Sequence, residues 1–111
     1  MTEADFHEKL DDLFDRLEMA LETAADTADE DIDCDLANGV LTITLANGSS
    51  IILSRQPATR QLWLAAKAGG FHFTLDEAAD AWICTRSGAS FTQLFGGSLQ
   101  DQAKLNLPAN W

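Results

Sequence analysis

Carboxylates are the chemistry-bearing groups of this chain, and they are unevenly spread. The stretch from Glu18 to Asp35 reads Glu-Met-Ala-Leu-Glu-Thr-Ala-Ala-Asp-Thr-Ala-Asp-Glu-Asp-Ile-Asp-Cys-Asp. Fourteen of the eighteen acidic residues lie in the first 35 positions, where only Lys9 and Arg16 oppose them. The rest of the chain holds five bases and four acids, so the net charge of −11 belongs to one region. A segregated negative field draws in cations and basic partners and repels phosphate backbones. Carboxylate oxygens suit hard cations, and ferric and ferrous iron, Mn, Ca and Mg are all admissible on charge. Ligands scattered over a surface bind such ions weakly and exchangeably. His7 and Asp11 add an i, i+4 pair that could reach one ion, without a third fixed ligand.

Other chemistries are poorly served. There is no G-x-S-x-G, no phosphate-cradling glycine loop and no cysteine with an obvious histidine partner. Asp31-Ile32-Asp33-Cys34-Asp35 begins like a calcium loop, but Leu36 stands at the required glycine and Thr42 at the bidentate glutamate. His7, His72, Cys34 and Cys84 are too dispersed for zinc. Cys34 and Cys84 form no C-x-x-C and are expected to be small core residues. Few bases argue against nucleic acid as a partner.

These groups need elements to hold them. Phe6, Leu10, Leu13, Phe14, Leu17, Leu21 and Ala24 recur at helical spacing, which predicts an amphipathic helix over residues 3–24. Thr2 and Asp5 make a capping box at its start. Glu8, Asp11, Asp15, Glu18 and Glu22 form a second stripe nearly opposite the apolar one. Like charges stacked at those spacings cost a few tenths of a kcal/mol per pair, roughly. A helix built only for solubility would alternate signs. Residues 25–31 read as a polar connection. From there the period changes to two. Ile32, Cys34 and Leu36 alternate with Asp31, Asp33 and Asp35 in a first strand.

Asn38-Gly39 and Asn47-Gly48 signal hairpins. Leu41-Ile43-Leu45, Ile51 to Leu53, Gln61 to Ala65, Phe71 to Leu75 and residues 81–85 complete six strands, with Pro57 ending the third. In the fourth and fifth, Gln61, Trp63, His72 and Thr74 point away from the core. The pattern leaves open whether Trp82 or Ile83 faces inward. Ser90 and Gln93 open a second helix, with Phe91, Leu94, Phe95 and Leu99 on one face. Gly96-Gly97 should weaken or kink it, and Leu105, Leu107 and Trp111 should pack back on the helices.

The order of helix, six strands on tight turns and helix predicts an α+β fold. An antiparallel six-stranded sheet carries the N- and C-terminal helices on one face, and the other face is solvated. With 111 residues, 1–111 forms a single domain. The acidic start does not look like a targeting peptide, and no apolar run approaches membrane-spanning length, so a cytoplasmic protein without a membrane partner is expected.

Several ordered motifs resemble the bacterial frataxin family. They are Phe6-His7, Asp31-Ile32-Asp33-Cys34-Asp35, Asn38-Gly39-Val40-Leu41-Thr42-Ile43, Arg55-Gln56, Gln61-Leu62-Trp63-Leu64-Ala65, Gly69-Gly70-Phe71-His72-Phe73, Trp82-Ile83-Cys84 and Arg86-Ser87-Gly88. The likeness runs from about Ala4 to Phe95. It implies an α–β sandwich, a weakly iron-binding acidic ridge (Fe2+ or Fe3+) and a regulatory role in iron–sulfur cluster assembly. It also implies docking of a cysteine desulfurase on the ridge and contact of the sheet face with the cluster scaffold protein. On matching positions the ridge residues are Glu18, Glu22, Asp29, Asp31 and Asp33, with His7 and Asp11 as further metal candidates. Glu18, Glu22, Gln56 and Trp63 are the partner-binding candidates. Met19 and Thr23 stand where bacterial relatives often carry acids, and Ser54 where they commonly carry Asn. The expected state is a monomer, or an oligomer that forms with iron. Two other readings stay open: a ferroxidase or iron-storage enzyme, and an acidic inhibitor module with no metal role.

Overall fold

A computed structural model describes residues 1–108 and 111. Helix α1 spans Glu3–Ala28, six strands follow (β1 Asp33–Ala37, β2 Val40–Thr44, β3 Ser50–Gln56, β4 Gln61–Ala66, β5 Gly69–Asp76, β6 Ala81–Cys84), and α2 spans Phe91–Ala103. The strands lie in sequence order in one sheet, every neighbouring pair antiparallel. Short connections dictate this order, since a hairpin can only place the next strand beside the last.

One sheet face is buried. Leu41, Ile43, Ile51, Leu53, Leu62, Leu64, Phe73, Trp82 and Cys84 line it and share a core with α1 and α2. Trp82 is thus the inward residue of β6, opposite Leu75. Phe6, Leu10, Phe14, Leu17 and Leu21 supply the stripe of α1. Leu105 is buried in the same core, and Trp111 packs near Phe91 and Phe95, so the tail folds back as expected.

Thr2 caps α1 as predicted, its hydroxyl accepting from Asp5 N–H at 3.1 Å while the Asp5 carboxylate accepts from Thr2 N–H. The far end differs from the expected one. Residues 25–28 continue the helix, because Ala24, Ala25 and Ala28 favour it. The stop is a left-handed Asp29 (φ 55°), with Glu30 N–H reaching back to the Ala25 carbonyl at 3.0 Å. Helix α2 also departs from expectation: it runs through Gly96-Gly97 without a break. A Cβ at either glycine would meet nothing within 4 Å, so packing does not require them. Their propensity cost of about 1 kcal/mol each is offset by fully buried Phe95 and Leu99 on either side.

Cys84 is buried, but the core placement of Cys34 is overturned: every residue of β1 is exposed. Strand β1 is one of the sheet's two edge strands, and the helical layer does not close over its inner face. Leu36, on that face opposite Leu41, is left 51% exposed.

Candidate functional site

The longer helix reshapes the acidic surface. Glu18, Glu22 and Asp26 follow one another at i, i+4 along the flank of α1 nearest β1. Together with Glu30, Asp31 and Cys34 they line a shallow groove between helix and strand. Asp29 is the helix cap, and Asp33 and Asp35 pair with Thr44 and Thr42 toward the open sheet face. The acids crowd the C-terminal end of α1, whose last turn has no base. That end already carries roughly half a negative charge from the helix dipole, so carboxylates there are unfavourable without a cation.

The distribution of ion pairs sharpens this. Lys9 reaches Asp80 at 3.0 Å, Arg16 reaches Asp12 at 3.1 Å and Arg55 reaches Asp11 at 2.8 Å. Among the described residues, none of the eight acids from Glu18 to Asp35 has a basic partner within salt-bridge distance. No three His, Cys, Asp or Glu side chains among the described residues converge into a metal cage. The donor set fits a hard cation held loosely by oxygen and exchanged with water.

His7 and Asp11 have a different environment. Arg55, at the inner end of β3, lies over the Phe14 ring with its Cζ 5.2 Å from the centroid. One Arg55 nitrogen donates to Asp11 and the other meets His7 Nδ1 at 3.0 Å. A guanidinium therefore stands between the two candidate ligands and clasps α1 to β3. Gly39 leaves room for it: in that turn φ is +77°, and a Cβ would come within 3.0 Å of Arg55 Cγ.

The open sheet face gathers the second set. Trp63 is 40% exposed on β4 and pairs across the strands with His72, ring centroids 4.4 Å apart. Gln61 Oε1 accepts from Trp63 Nε1 at 3.3 Å and lies 3.3 Å from His72 Nδ1. Gln56 pairs with Gln61 and donates to Ser54 Oγ. An indole held by neighbours on a solvated sheet is a rigid contact surface of the kind that anchors protein interfaces.

Residues 1–105 match the frataxin-like domain family. The chain belongs to the frataxin family. It is 52% identical over 96 residues, covering 85% of this chain and 82% of the relative, to the iron–sulfur cluster assembly protein CyaY of Azotobacter vinelandii. It is 43% identical to the CyaY of Stutzerimonas stutzeri, over 92% of this chain and 89% of that one. Among solved structures, the frataxin of Psychromonas ingrahamii superposes with a TM-score of 0.84 at 27% identity, covering 96% of each chain. A trimeric frataxin of Saccharomyces cerevisiae complexed with ferrous iron gives 0.66 at 29% identity, over 91% of this chain and 85% of that one.

Within this frataxin fold, the sequence-selected Glu18, Glu22 and Asp31 share the groove, while Asp29 and Asp33 flank it. Asp26, Glu30 and Cys34 also line it, beyond the residues that the resemblance marks. For Asp26 the signal was present, since it continues the Glu18–Glu22 spacing by one more turn. Ending the helix at Ala24 hid it.

Cys34 gives a chemical probe of the groove. Its residue surface is exposed, yet partial desolvation of the thiol, then the charges of Glu18 and Asp33, push its pKa up to about 11. Only the thiolate alkylates. At pH 8 iodoacetamide should therefore modify Cys34 about a hundredfold more slowly than a free cysteine. Glu18→Gln should quicken the reaction. Mass spectrometry of timed samples reads both rates, and an unhindered Cys34 would contradict the described groove.

Proposed function

We propose that this chain is a non-catalytic, iron-binding regulator of iron–sulfur cluster assembly, working in the cytoplasm as one domain over residues 1–111. Its acidic ridge collects iron loosely and docks a cysteine desulfurase. The observation that carries this reading is that, among the described residues, the run of eight carboxylates from Glu18 to Asp35 has no basic partner, while Asp11 and Asp12 of the same helix are paired with arginines. Leaving such a run unpaired costs stability, and a cation or a basic partner surface relieves it. Support also comes from the assembly proteins to which the chain is similar, and from the ferrous complex of the yeast relative. Glu18, Glu22, Asp29, Asp31 and Asp33 are the proposed metal ligands, with Asp26 and Glu30 added from the groove. His7 and Asp11 are secondary, because Arg55 already satisfies them. Trp63 and Gln56 are assigned to a second partner, the cluster scaffold. Metal and desulfurase compete for the ridge because they need the same oxygens.

Ferrous titration tests the metal part. Amide resonances from Glu18 to Asp33 should move first, with dissociation constants in the weak, exchangeable range expected of open oxygen sites, about 10⁻⁵ to 10⁻³ M. First shifts at His72 or Cys84 would sink the ridge assignment. An oxygen electrode in the same titration separates binding from ferroxidase chemistry: steady oxygen consumption would favour the enzyme reading.

A further inference from the structure

The sheet ends on two unlike edges. Strand β6 is short, and its outer flank is engaged where Ile83 bridges to Ser90. Among the described residues, strand β1 pairs with β2 alone. Asn38 and Gly39 both have positive φ, 54° and 77°, and close the β1–β2 hairpin at Ala37 and Val40. In such a two-residue hairpin the closing pair is hydrogen bonded and the pattern alternates from it. Ala37, Asp35 and Asp33 thus bond to β2, and Leu36 and Cys34 turn their backbone N–H and C=O outward. Among the described residues, no hydrogen bond outside the ladder engages those groups.

We propose that the β1 edge takes up an extended basic segment of a protein partner as a seventh strand. Charge selects the occupant. Asp33 and Asp35 stand on one face of β1, and the groove acids Glu18, Glu22 and Asp26 border the other. A second copy of this chain would bring Asp33 and Asp35 against their own kind, and like charges directly opposite in a ladder repel. Edge strands commonly carry charge to prevent self-pairing. Here all the charge has one sign, so the edge that rejects its copy matches a strand with Lys or Arg at alternate positions. Leu36, half exposed on the groove face, offers that strand an apolar contact. Backbone pairing would supply affinity and the carboxylates the preference for a basic segment. The inference rests on the proposed docking role of the ridge and adds its mode: main-chain pairing, not side-chain charge alone.

The test uses the full chain and a nine-residue peptide alternating Lys and Val, against the same peptide N-methylated at every residue. Both carry equal charge, but the second cannot donate in a ladder. The unmethylated peptide should bind at least about tenfold more tightly, as two or more backbone hydrogen bonds imply. By NMR it should also slow hydrogen exchange at the Leu36 and Cys34 amides. Equal affinity for both peptides, or unchanged exchange at those amides, overturns strand addition. A peptide-free dimer that protects the same amides overturns the choice of occupant. The Glu18→Lys, Glu22→Lys variant assayed with the desulfurase reports separately on the ridge. Its loss of binding alongside equal peptide affinities would remove the seventh strand and keep the docking surface. Retained desulfurase binding with protected amides would do the reverse.

Discussion

Glu18→Lys combined with Glu22→Lys should abolish desulfurase binding and leave the fold intact. Glu22 is exposed and Glu18 partly so, and neither belongs to the core. Among the described residues, neither side chain makes an ion pair that the substitution would break. Reversal instead removes the like-charge repulsion among Glu18, Glu22 and Asp26 and places a lysine one turn before Asp26. Thermal stability should hold or rise. Binding should fall by about a hundredfold or more, since a like-charge juxtaposition at an interface costs several kcal/mol, roughly. Most of the early loss should appear in the association rate. The wild-type interaction should itself fade with salt, as the Debye length shrinks from about 10 Å at 0.1 M to about 3 Å at 1 M. Trp63→Ala should leave this docking largely unchanged, because Trp63 lies on the open sheet face, away from the groove. The ridge reading is falsified if the double variant, folded by circular dichroism, binds with unchanged affinity and salt dependence. Cys34 provides an internal control: with Glu18 reversed, one cause of its raised pKa is gone, and its alkylation should quicken.

Charge patterning alone locates the acidic site along the chain, but it does not give the site its shape. Clustering of Glu18 to Asp35 is a property of sequence, and helical spacing gives the order Glu18, Glu22, Asp26. What spacing does not show is which flank those residues share with β1. That depends on where the helix stops, and Asp29 in a left-handed conformation is a weak local signal beside an alanine-rich run. The His7–Asp11 pair illustrates another limit. Its spacing is real, but Arg55 arrives from 44 residues further along the chain, and only the sheet register places it there.

The fold is more legible because its signals are local and agree with one another. Alternation of Leu62, Trp63 and Leu64 gives the faces of β4 correctly, and the tight turns set the strand order. Cys34 escapes this reading for a tertiary reason. Alternation says that Ile32, Cys34 and Leu36 share a face with the core residues, but not whether a helix covers that face at the sheet's edge. Gly96-Gly97 misleads through propensity: a local cost of about 1 kcal/mol per glycine is smaller than the burial of the aromatic and aliphatic residues around it.

Phe14→Ala should cause a large loss of stability, and it separates holding the ridge from being the ridge. Phe14 is 1% exposed in the middle of the α1 stripe, with Leu10 and Leu17 one turn to either side. Truncating a buried phenylalanine costs about 3–5 kcal/mol through lost transfer energy and the cavity left behind. Domains of this size are stable by about 5–15 kcal/mol in total. At roughly 4 °C per kcal/mol for a chain near 100 residues, Tm should drop by about 12–20 °C. The Arg55 guanidinium would also lose the ring beneath it, while its ion pair with Asp11 should survive. Trp63→Ala is the matched contrast: an indole of greater size, but 40% exposed on the open face between its cross-strand neighbours Ser54 and His72, worth about 1 kcal/mol or less. Below its own Tm, the Phe14→Ala protein should still bind iron on the ridge, because none of the proposed carboxylate ligands belongs to the buried core. Thermal unfolding by circular dichroism, with iron titration well below the lowered Tm, reads both. A Phe14→Ala shift no larger than that of Trp63→Ala would mean that α1 is not seated on the sheet through this face. The placement of Glu18, Glu22 and Asp26 beside β1 would then fall with it.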